Sequence, residues 1–180
     1  MAREWRVRSP SPAVTEALGE ELGRALVPGA LLALSGELGA GKTTLVRGLA
    51  RGLGIEESVV SPTFTRMRAL PGRLTLYHFD AWRAGSEELL AEGGEFLAGA
   101  GVAVIEWAER VERWLPCPRL ALTLAHHALD ERVLSCALVS APPGSGPGAR
   151  LLERALLETL ERGRRTPGLL SASPRTVSDP

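Results

Sequence analysis

The sequence Leu31-Leu-Ala-Leu-Ser-Gly-Glu-Leu-Gly-Ala-Gly-Lys-Thr-Thr44 reads as an apolar strand, a glycine-rich loop and the first turn of a helix. Within this stretch, residues 36–43 match the pattern G-x-x-x-x-G-K-[ST]. A loop of this kind turns its backbone N–H groups towards one point, where they bind phosphate. The helix that follows adds the positive end of its dipole at the same point. We therefore expect the loop to bind a nucleoside triphosphate.

The residues around the loop support this interpretation. Residues 30–34 form a short apolar run typical of a buried parallel strand, and residues 43–53 carry leucines at helical spacing. Lys42 is the only lysine in the chain, and every other strong base is arginine. Because a compact ammonium fits between phosphate oxygens better than a broad guanidinium, we predict that Lys42 contacts the β- and γ-phosphates. The Thr43 hydroxyl is then expected to bind Mg²⁺.

Length and composition narrow the class of protein. A chain of 180 residues suggests one domain with a substantial core, and its formal net charge of zero argues against strong independent binding to nucleic acid. The sequence shows neither a transmembrane run nor a signal peptide, so we expect a cytoplasmic protein without a membrane partner. Cys117 and Cys136 stand alone and are interpreted as buried thiols.

Two residue types are absent, and their absence limits the chemistry. The chain contains no Asn and no Gln. An Asn-Lys-x-Asp motif that reads guanine is therefore impossible, which argues against a GTPase. A glutamine that orients the attacking water is impossible as well. Acidic or hydroxyl side chains must position any water.

The order of the predicted elements indicates an α/β fold, namely a three-layer P-loop NTPase fold with a mixed central sheet. The parallel core of that sheet is accompanied by two antiparallel hairpins. Other predicted elements are an edge strand near Trp5, a helix capped by Ser11, a helix after Ser86 and a helix through residues 111–114. The predicted organisation is a P-loop ATPase domain over residues 1–140, a Pro/Gly linker over 141–148, a helix over 149–162 and a disordered tail over 163–180.

Two acids could complete a magnesium–nucleotide site. Asp80 ends the run Leu74–Phe79, and Glu106 ends the more apolar run Val102–Ile105. Pattern alone favours Glu106 as the Walker B acid, since ligands gather at the carboxyl ends of parallel strands. Asp80 is the only aspartate well placed for chemistry, so the choice between the two stays open on pattern.

Three further residues near these motifs have open interpretations. Thr63 lies in a proline-kinked loop, the kind of segment through which switch loops contact a γ-phosphate, although an ordinary turn threonine is about as frequent there. His78 is expected to be packed or hydrogen-bonded rather than a metal ligand. Trp107 either belongs to the core or flanks the nucleotide.

Four motifs in this order resemble the bacterial TsaE family of YjeE-like ATPases. They are the loop at residues 36–44, Ser61-Pro-Thr-Phe64, Leu76-Tyr-His-Phe-Asp80 with Trp82-Arg83, and Val104-Ile-Glu-Trp107. The resemblance covers roughly residues 10–140. It implies a Mg²⁺-dependent ATPase required for threonylcarbamoylation (t6A) of the adenosine next to the anticodon in tRNAs that read codons beginning with A. The implied partners are TsaB and TsaD homologues, with tRNA bound only indirectly through that complex.

The resemblance also assigns roles to residues. Phosphate binding falls to the loop residues Glu37, Leu38, Gly39, Ala40, Gly41, Lys42, Thr43 and Thr44. Asp80 becomes the Walker-B-like Mg²⁺ acid beside Thr43, and Glu106 assists hydrolysis or the metal. Lys42, Asp80 and Glu106 are thus the implied catalytic residues. Thr63 belongs to the switch-like loop, and Trp107 lies near the nucleotide.

Two other functions fit the same loop. A small-molecule or nucleotide kinase of similar length would use Arg66, Arg68 or Arg83 on its phosphates, but no long lid insertion is visible in the sequence. A nucleotide-dependent interaction module with little catalysis is the third possibility. Phosphorylated product identifies a kinase, whereas partner-stimulated release of orthophosphate identifies an ATPase.

Overall fold

The computed structural model describes residues 4–62, 67–82 and 100–164. Within these ranges the chain forms seven strands and three α-helices. The elements in chain order are β1 (Glu4–Ser9), α1 (Pro12–Ala25), β2 (Leu31–Ser35), α2 (Lys42–Gly52), β3 (Met67–Leu70), β4 (Leu76–Asp80), β5 (Val102–Glu106), β6 (Arg119–His126), β7 (Arg132–Val139) and α3 (Pro147–Arg164). The helix expected after Ser86, the switch residue Thr63 and residues 165–180 of the expected tail lie outside the described residues.

One seven-stranded sheet organises these elements, with the strand order β1-β7-β6-β2-β5-β4-β3. The strand before the phosphate loop, β2, pairs in parallel with β5 and with β6, and β4 pairs in parallel with β5. The outer pairings β3–β4, β6–β7 and β1–β7 are antiparallel. The predicted mixed sheet with a parallel core and two hairpins is confirmed.

Both faces of the central strand β2 are buried, as its apolar sequence requires. Leu32 and Leu34 belong to the main core beneath the helices, whereas Leu31 and Ala33 belong to a second cluster on the opposite face. This division follows from the two-residue period of a strand. Helices α1, α2 and α3 contribute to the first cluster, and two short 3₁₀ turns contribute to the second. Helices, sheet and turns form the three layers.

Helix α1 begins as predicted and lies directly on α2. Ser11 caps α1 by accepting a hydrogen bond from Val14 N at 3.3 Å. Two glycines on each helix bring the backbones together: a Cβ on Gly48 would lie 1.9 Å from Glu16 O, and one on Gly19 would lie 2.2 Å from Leu45 O. The helix that carries the phosphate loop therefore rests on α1 with no room for a side chain between them.

The C-terminal helix α3 is packed against the same face of the sheet. It begins two residues before and ends two residues after the range expected from sequence. Leu156 is fully buried in the main core, and the Thr159 hydroxyl donates to Ala25 O at the end of α1 at 3.0 Å. Among the described residues, no helix combines the length and the apolar character needed to cross a membrane.

The helix predicted through residues 111–114 was wrong in type. The segment forms two 3₁₀ turns, Ala108–Arg110 and Glu112–Trp114, separated by Val111 with φ −125° and ψ 7°. Trp107 enters the segment in the left-handed region, and Leu115 leaves it extended before Pro116. Residues before proline avoid the helical region, so the segment is too short for an α-helix.

Candidate functional site

The glycine loop between β2 and α2 has the backbone that its sequence predicted. Gly36, Gly39 and Gly41 all have positive φ angles, of 139°, 75° and 101°. A Cβ on Gly36 would also lie 2.2 Å from Leu124 O on β6. A side chain at this position would therefore be strained in conformation and would collide with the neighbouring strand.

The N-terminus of α2 is open to a ligand. Gly41 occupies the N-cap and has no side chain with which to cap the helix. The first N–H groups of a helix have no acceptor within the helix itself. In α2 these groups belong to Lys42, Thr43 and Thr44. Uncapped amides with the positive end of the helix dipole fit an anion such as phosphate.

The Lys42 ammonium lies inside the loop. The residue is 4% exposed, and its Nζ donates to Gly36 O at 2.5 Å and to Glu37 O at 2.9 Å. The Nζ atom also lies 3.6 Å from the ring centroid of Trp107. Burial lowers the pKa of Lys42 below its usual value, although Glu106, Glu109 and Asp80 act in the opposite direction. A cation held between carbonyls and a ring fits a site for phosphate.

Glu106 lies directly against the phosphate loop. The Thr43 hydroxyl is 2.9 Å from its Oε1 and 3.0 Å from its Oε2. The pairing follows from topology, since β5 is the strand beside β2 and Glu106 is the register partner of Leu34. Glu106 is 3% exposed, so its carboxylate is buried at the carboxyl ends of the parallel strands. This is the position that the strand pattern favoured.

Asp80 lies one strand further out and contacts the switch-like loop. It is the register partner of Glu106 across β4 and β5. Its Oδ2 accepts from the Ser61 hydroxyl at 3.0 Å, and its Oδ1 accepts from Trp82 N at 2.8 Å. Ser61 is the first residue of the segment that contains Thr63. Asp80 therefore joins that segment to the end of β4.

The oxygen atoms at this edge of the sheet suit a hard cation. The hydroxyl of Thr43 and the carboxylates of Glu106 and Asp80 are the donor types that Mg²⁺ prefers. Within the described ranges, no cluster of three or more His, Cys, Asp or Glu side chains could hold a metal by itself. Mg²⁺ usually takes one or two carboxylates from a protein and completes its shell with phosphate and water.

A tilted pair of tryptophan rings, which the sequence did not reveal, lies beside Lys42. The rings of Trp82 and Trp107 have centroids 4.4 Å apart. The Arg110 guanidinium lies 4.3 Å from the Trp82 ring centroid and donates to Trp82 O at 2.6 Å. Lys42 lies on the other ring, so the two tryptophans stand between two cations, Arg110 and Lys42. The only sequence signal for this was the presence of two tryptophans next to the two acids.

The β6–β7 hairpin contacts the middle of the glycine loop. His126 Nε2 lies 3.4 Å from Leu38 O, and Arg132 Nη2 donates to Gly39 O at 3.3 Å. Arg132 Nη1 also bonds carbonyls of the hairpin turn, including Leu129 O at 3.3 Å. One guanidinium thus links the turn to the phosphate loop.

The structure brings most of the expected site residues together. The Thr43 hydroxyl donates to Glu106, and Asp80 is the strand neighbour of Glu106. The Lys42 ammonium lies against the ring of Trp107. The other loop residues of the predicted site, within residues 37–44, lie between β2 and α2 and in the first turn of α2. Thr63, Arg66 and Arg83 lie outside the described residues, and Arg68 is paired with Glu57 rather than with the site.

Residues 9–134 match the family described as "Threonylcarbamoyl adenosine biosynthesis protein TsaE". The chain belongs to the TsaE family. Proteins of this family take part in the biosynthesis of threonylcarbamoyladenosine in tRNA, and the resemblance drawn from the four motifs is confirmed.

Individual relatives agree with this assignment. The TsaE protein of Treponema pallidum is 44% identical over 134 residues, which cover 73% of this chain and 99% of that protein. The TsaE protein of Bacillus subtilis is 38% identical over 134 residues, covering 74% and 85% of the two chains. The crystal structure of Bacillus subtilis YdiB superposes with a TM-score of 0.70 at 33% identity, covering 88% of this chain and 97% of that one. These likenesses confirm the P-loop NTPase fold. The TsaE match ends within β7, so α3 lies beyond it.

Proposed function

We propose that this TsaE-family protein is a cytoplasmic, Mg²⁺-dependent ATPase that acts with TsaB and TsaD homologues. In this proposal, ATP turnover supports formation of t6A on the adenosine next to the anticodon of tRNAs that read codons beginning with A. The complex binds the tRNA, since the chain has a formal net charge of zero and lacks the basic excess of an independent RNA-binding protein.

A single observation carries the ATPase part of the proposal. The Thr43 hydroxyl at the open N-terminus of α2 donates to the buried carboxylate of Glu106, and Asp80 stands beside that carboxylate. A phosphate cradle alone supports nucleotide binding. A cradle with two strand-end acids also has groups that could hold a metal and orient a water, which hydrolysis requires.

In this proposal, the position of each residue in the site determines its role in ATP binding or hydrolysis. The amides of the loop and the Lys42 ammonium bind the phosphates. Thr43 and Asp80, with Glu106, would hold Mg²⁺, which neutralises charge on the phosphate oxygens during phosphoryl transfer. Glu106 is the acceptor that orients the attacking water, because a chain without Asn or Gln offers no amide for the purpose. Trp107 covers Lys42 and excludes solvent from that side.

The contact between Ser61 and Asp80 suggests how nucleotide binding could be communicated. Ser61 begins the switch-like loop, and its hydroxyl is tied to an acid of the site. In the proposal, ATP orders this loop, the ordered loop contacts the partner proteins, and hydrolysis releases them. Turnover by the isolated chain is expected to be slow, because the partner completes the site.

The proposal is tested by reconstitution. The protein is incubated with TsaB and TsaD homologues, tRNA and preformed threonylcarbamoyl-AMP, which donates the threonylcarbamoyl group and leaves as AMP. ATP, a non-hydrolysable ATP analogue or no nucleotide is then added. Complex formation is measured by pull-down, and tRNA modification by mass spectrometry of nucleosides. We expect a nucleotide-dependent complex, t6A formation only with ATP, and loss of both with Lys42→Ala. Arg24→Ala removes an exposed cation far from the loop and serves as the matched control. Full t6A formation with the Lys42 variant would refute the proposal.

The same preparation separates an ATPase from a kinase. The ATPase releases orthophosphate in the absence of any acceptor, and the partner proteins accelerate this release. A kinase would instead transfer the phosphoryl group to a member of a metabolite panel. Phosphorylated metabolite without orthophosphate would contradict the ATPase assignment.

A further inference from the structure

His78 lies behind Glu106 and has no role in the proposal so far. It occupies β4 two residues before Asp80, so both side chains lie on the same face of the strand. The imidazole is fully buried, and its Nε2 is 2.8 Å from Glu106 Oε1. A buried polar side chain placed against the carboxylate of a proposed active site invites a functional explanation.

The two groups in contact with the Glu106 carboxylate differ in which of its oxygens they contact. The Thr43 hydroxyl lies at nearly equal distances from Oε1 and Oε2, 2.9 and 3.0 Å, and so does not distinguish between them. His78 contacts Oε1 alone. Among the described residues, His78 is therefore the group that fixes the rotation of the Glu106 carboxylate. Of the described residues, only Thr43 then contacts Oε2.

The other ring nitrogen identifies the tautomer. His78 Nδ1 is buried and has no hydrogen-bond partner in the described part of the chain. A hydrogen on Nδ1 would be a buried donor without an acceptor, which is costly, whereas an Nε2–H has the Glu106 carboxylate as its acceptor. The geometry therefore selects the tautomer with hydrogen on Nε2.

We infer that His78 is a positioning residue for Glu106. Its Nε2–H holds Oε1 and leaves Oε2 beside the phosphate loop as the oxygen that can accept from water. The inference rests on the proposed role of Glu106 in hydrolysis. The competing explanation is a histidine that only fills space between β4 and β5.

Kinetics distinguish these two explanations. His78→Leu keeps the volume and removes the donor, while His78→Gln keeps an N–H near the position of Nε2. We expect His78→Leu to bind ATP within about twofold of wild type and to lower kcat by about tenfold, as loss of an outer-shell partner typically does. His78→Gln should recover most of that loss. His127→Gln, at an exposed position of the hairpin turn, is the control and should leave kcat unchanged.

A double variant and a measurement of folding complete the kinetic test. In a Glu106→Gln background, His78→Leu should cause no further loss of kcat, because the group that it positions is already altered. Thermal unfolding of each variant shows whether it is folded. The inference is overturned if His78→Leu retains wild-type kcat, or if the glutamine and leucine variants lose activity equally.

A spectroscopic measurement does not depend on activity. Long-range ¹H–¹⁵N NMR of the ligand-free full-length chain reports the tautomer of each of its three histidines. We expect one histidine, absent from the spectrum of His78→Gln, to carry its hydrogen on Nε2 and to shift in Glu106→Ala. Hydrogen on Nδ1, or no shift in Glu106→Ala, would refute the inference. If wild type fails to hydrolyse ATP, the proposed function fails, and this spectrum still decides whether His78 holds Glu106.

Discussion

At the scale of single residues, the contacts and burial of Lys42 lead to the clearest prediction about nucleotide binding. Its ammonium is bound by Gly36 O and Glu37 O, and it is buried under Trp107. An anion in the loop would offer this buried charge a far stronger partner than two carbonyls. The residue is therefore held where phosphate would arrive.

Replacing Lys42 by Met should strongly weaken nucleotide binding. The methionine keeps most of the alkyl chain, so the fold should survive, while the charge that balances the phosphates is lost. We expect ATP affinity to fall at least about a hundredfold, as removal of one partner of a buried charge pair typically costs 3–5 kcal/mol. Isothermal titration calorimetry measures the affinity, with Arg24→Met as the control. Unchanged affinity would show that the loop binds something other than the phosphates of ATP.

The sequence predicted single residues well where a local rule applied. Ser11 was recognised as a cap because Ser-Pro before an apolar stripe is a local signal, and Glu106 because it ends an apolar strand. The contact between His78 and Glu106 could not be predicted from the sequence, since it depends on the register of two strands that are separated by a long connection. The sequence could say only that His78 is packed or hydrogen-bonded, which the structure confirms.

At the scale of elements, the contact between α1 and α2 fixes the phosphate loop. The backbones approach so closely that carbonyl oxygens of one helix occupy the space of a Cβ on the other. Helix α2 begins at the loop, so its orientation against the sheet sets the direction of the loop amides. The contact thus stabilises the fold and positions the site.

Gly48→Ala should be strongly destabilising. Its Cβ would lie 1.9 Å from Glu16 O, and backbone cannot move aside as a flexible side chain can. We expect a loss of about 3 kcal/mol in the free energy of unfolding, or roughly 10 °C in Tm. Thermal and urea unfolding measure this loss.

Gly146→Ala is the matched control for Gly48→Ala, because nothing lies within 4 Å of the added Cβ. It should change stability by less than about 0.5 kcal/mol. Equal stability of the two variants would mean that α1 and α2 are not in backbone contact.

The sequence predicted the helices α1 and α2, but it did not predict the close contact between them. Apolar residues at helical spacing predicted α1 and α2, and α2 begins and ends one residue before the predicted range 43–53. The glycines at positions 19, 23, 48 and 52 lower helix propensity, and a single sequence does not reveal that they face each other across an interface. The helix prediction for the segment after Trp107 was wrong although its apolar spacing is helical. Trp107 in the left-handed region and Pro116 leave too few residues between them for an α-helix.

At the scale of the whole molecule, α3 is part of the same core although it lies beyond the TsaE match. Leu156 is fully buried, whereas Leu151, one turn and a half earlier, is 70% exposed. The helical stripe predicted α3, but it could not show that α3 packs onto α1 through Thr159 and Ala25. A chain ending near residue 140 would therefore expose part of the main core.

Leu156→Ala should reveal this packing. Truncation of a fully buried leucine leaves a cavity and typically costs about 3 kcal/mol. Leu151→Ala changes the same residue type on the exposed face of the same helix and should cost less than about 0.5 kcal/mol. Urea unfolding followed by circular dichroism compares the two. Similar, small effects of both substitutions would show that α3 does not pack on the domain.

We propose that the acids beside the phosphate loop, Glu106 above all, enable this protein to hydrolyse ATP. The most direct test is orthophosphate release by wild type and by Glu106→Gln, with Mg²⁺ and with excess EDTA, while ATP affinity is measured on the same samples. We expect wild type to release orthophosphate only with Mg²⁺. Glu106→Gln should bind ATP within about threefold of wild type and lower the rate at least about a hundredfold, within the range for loss of a catalytic base. Equal rates for wild type and Glu106→Gln would refute a role of Glu106 in ATP hydrolysis.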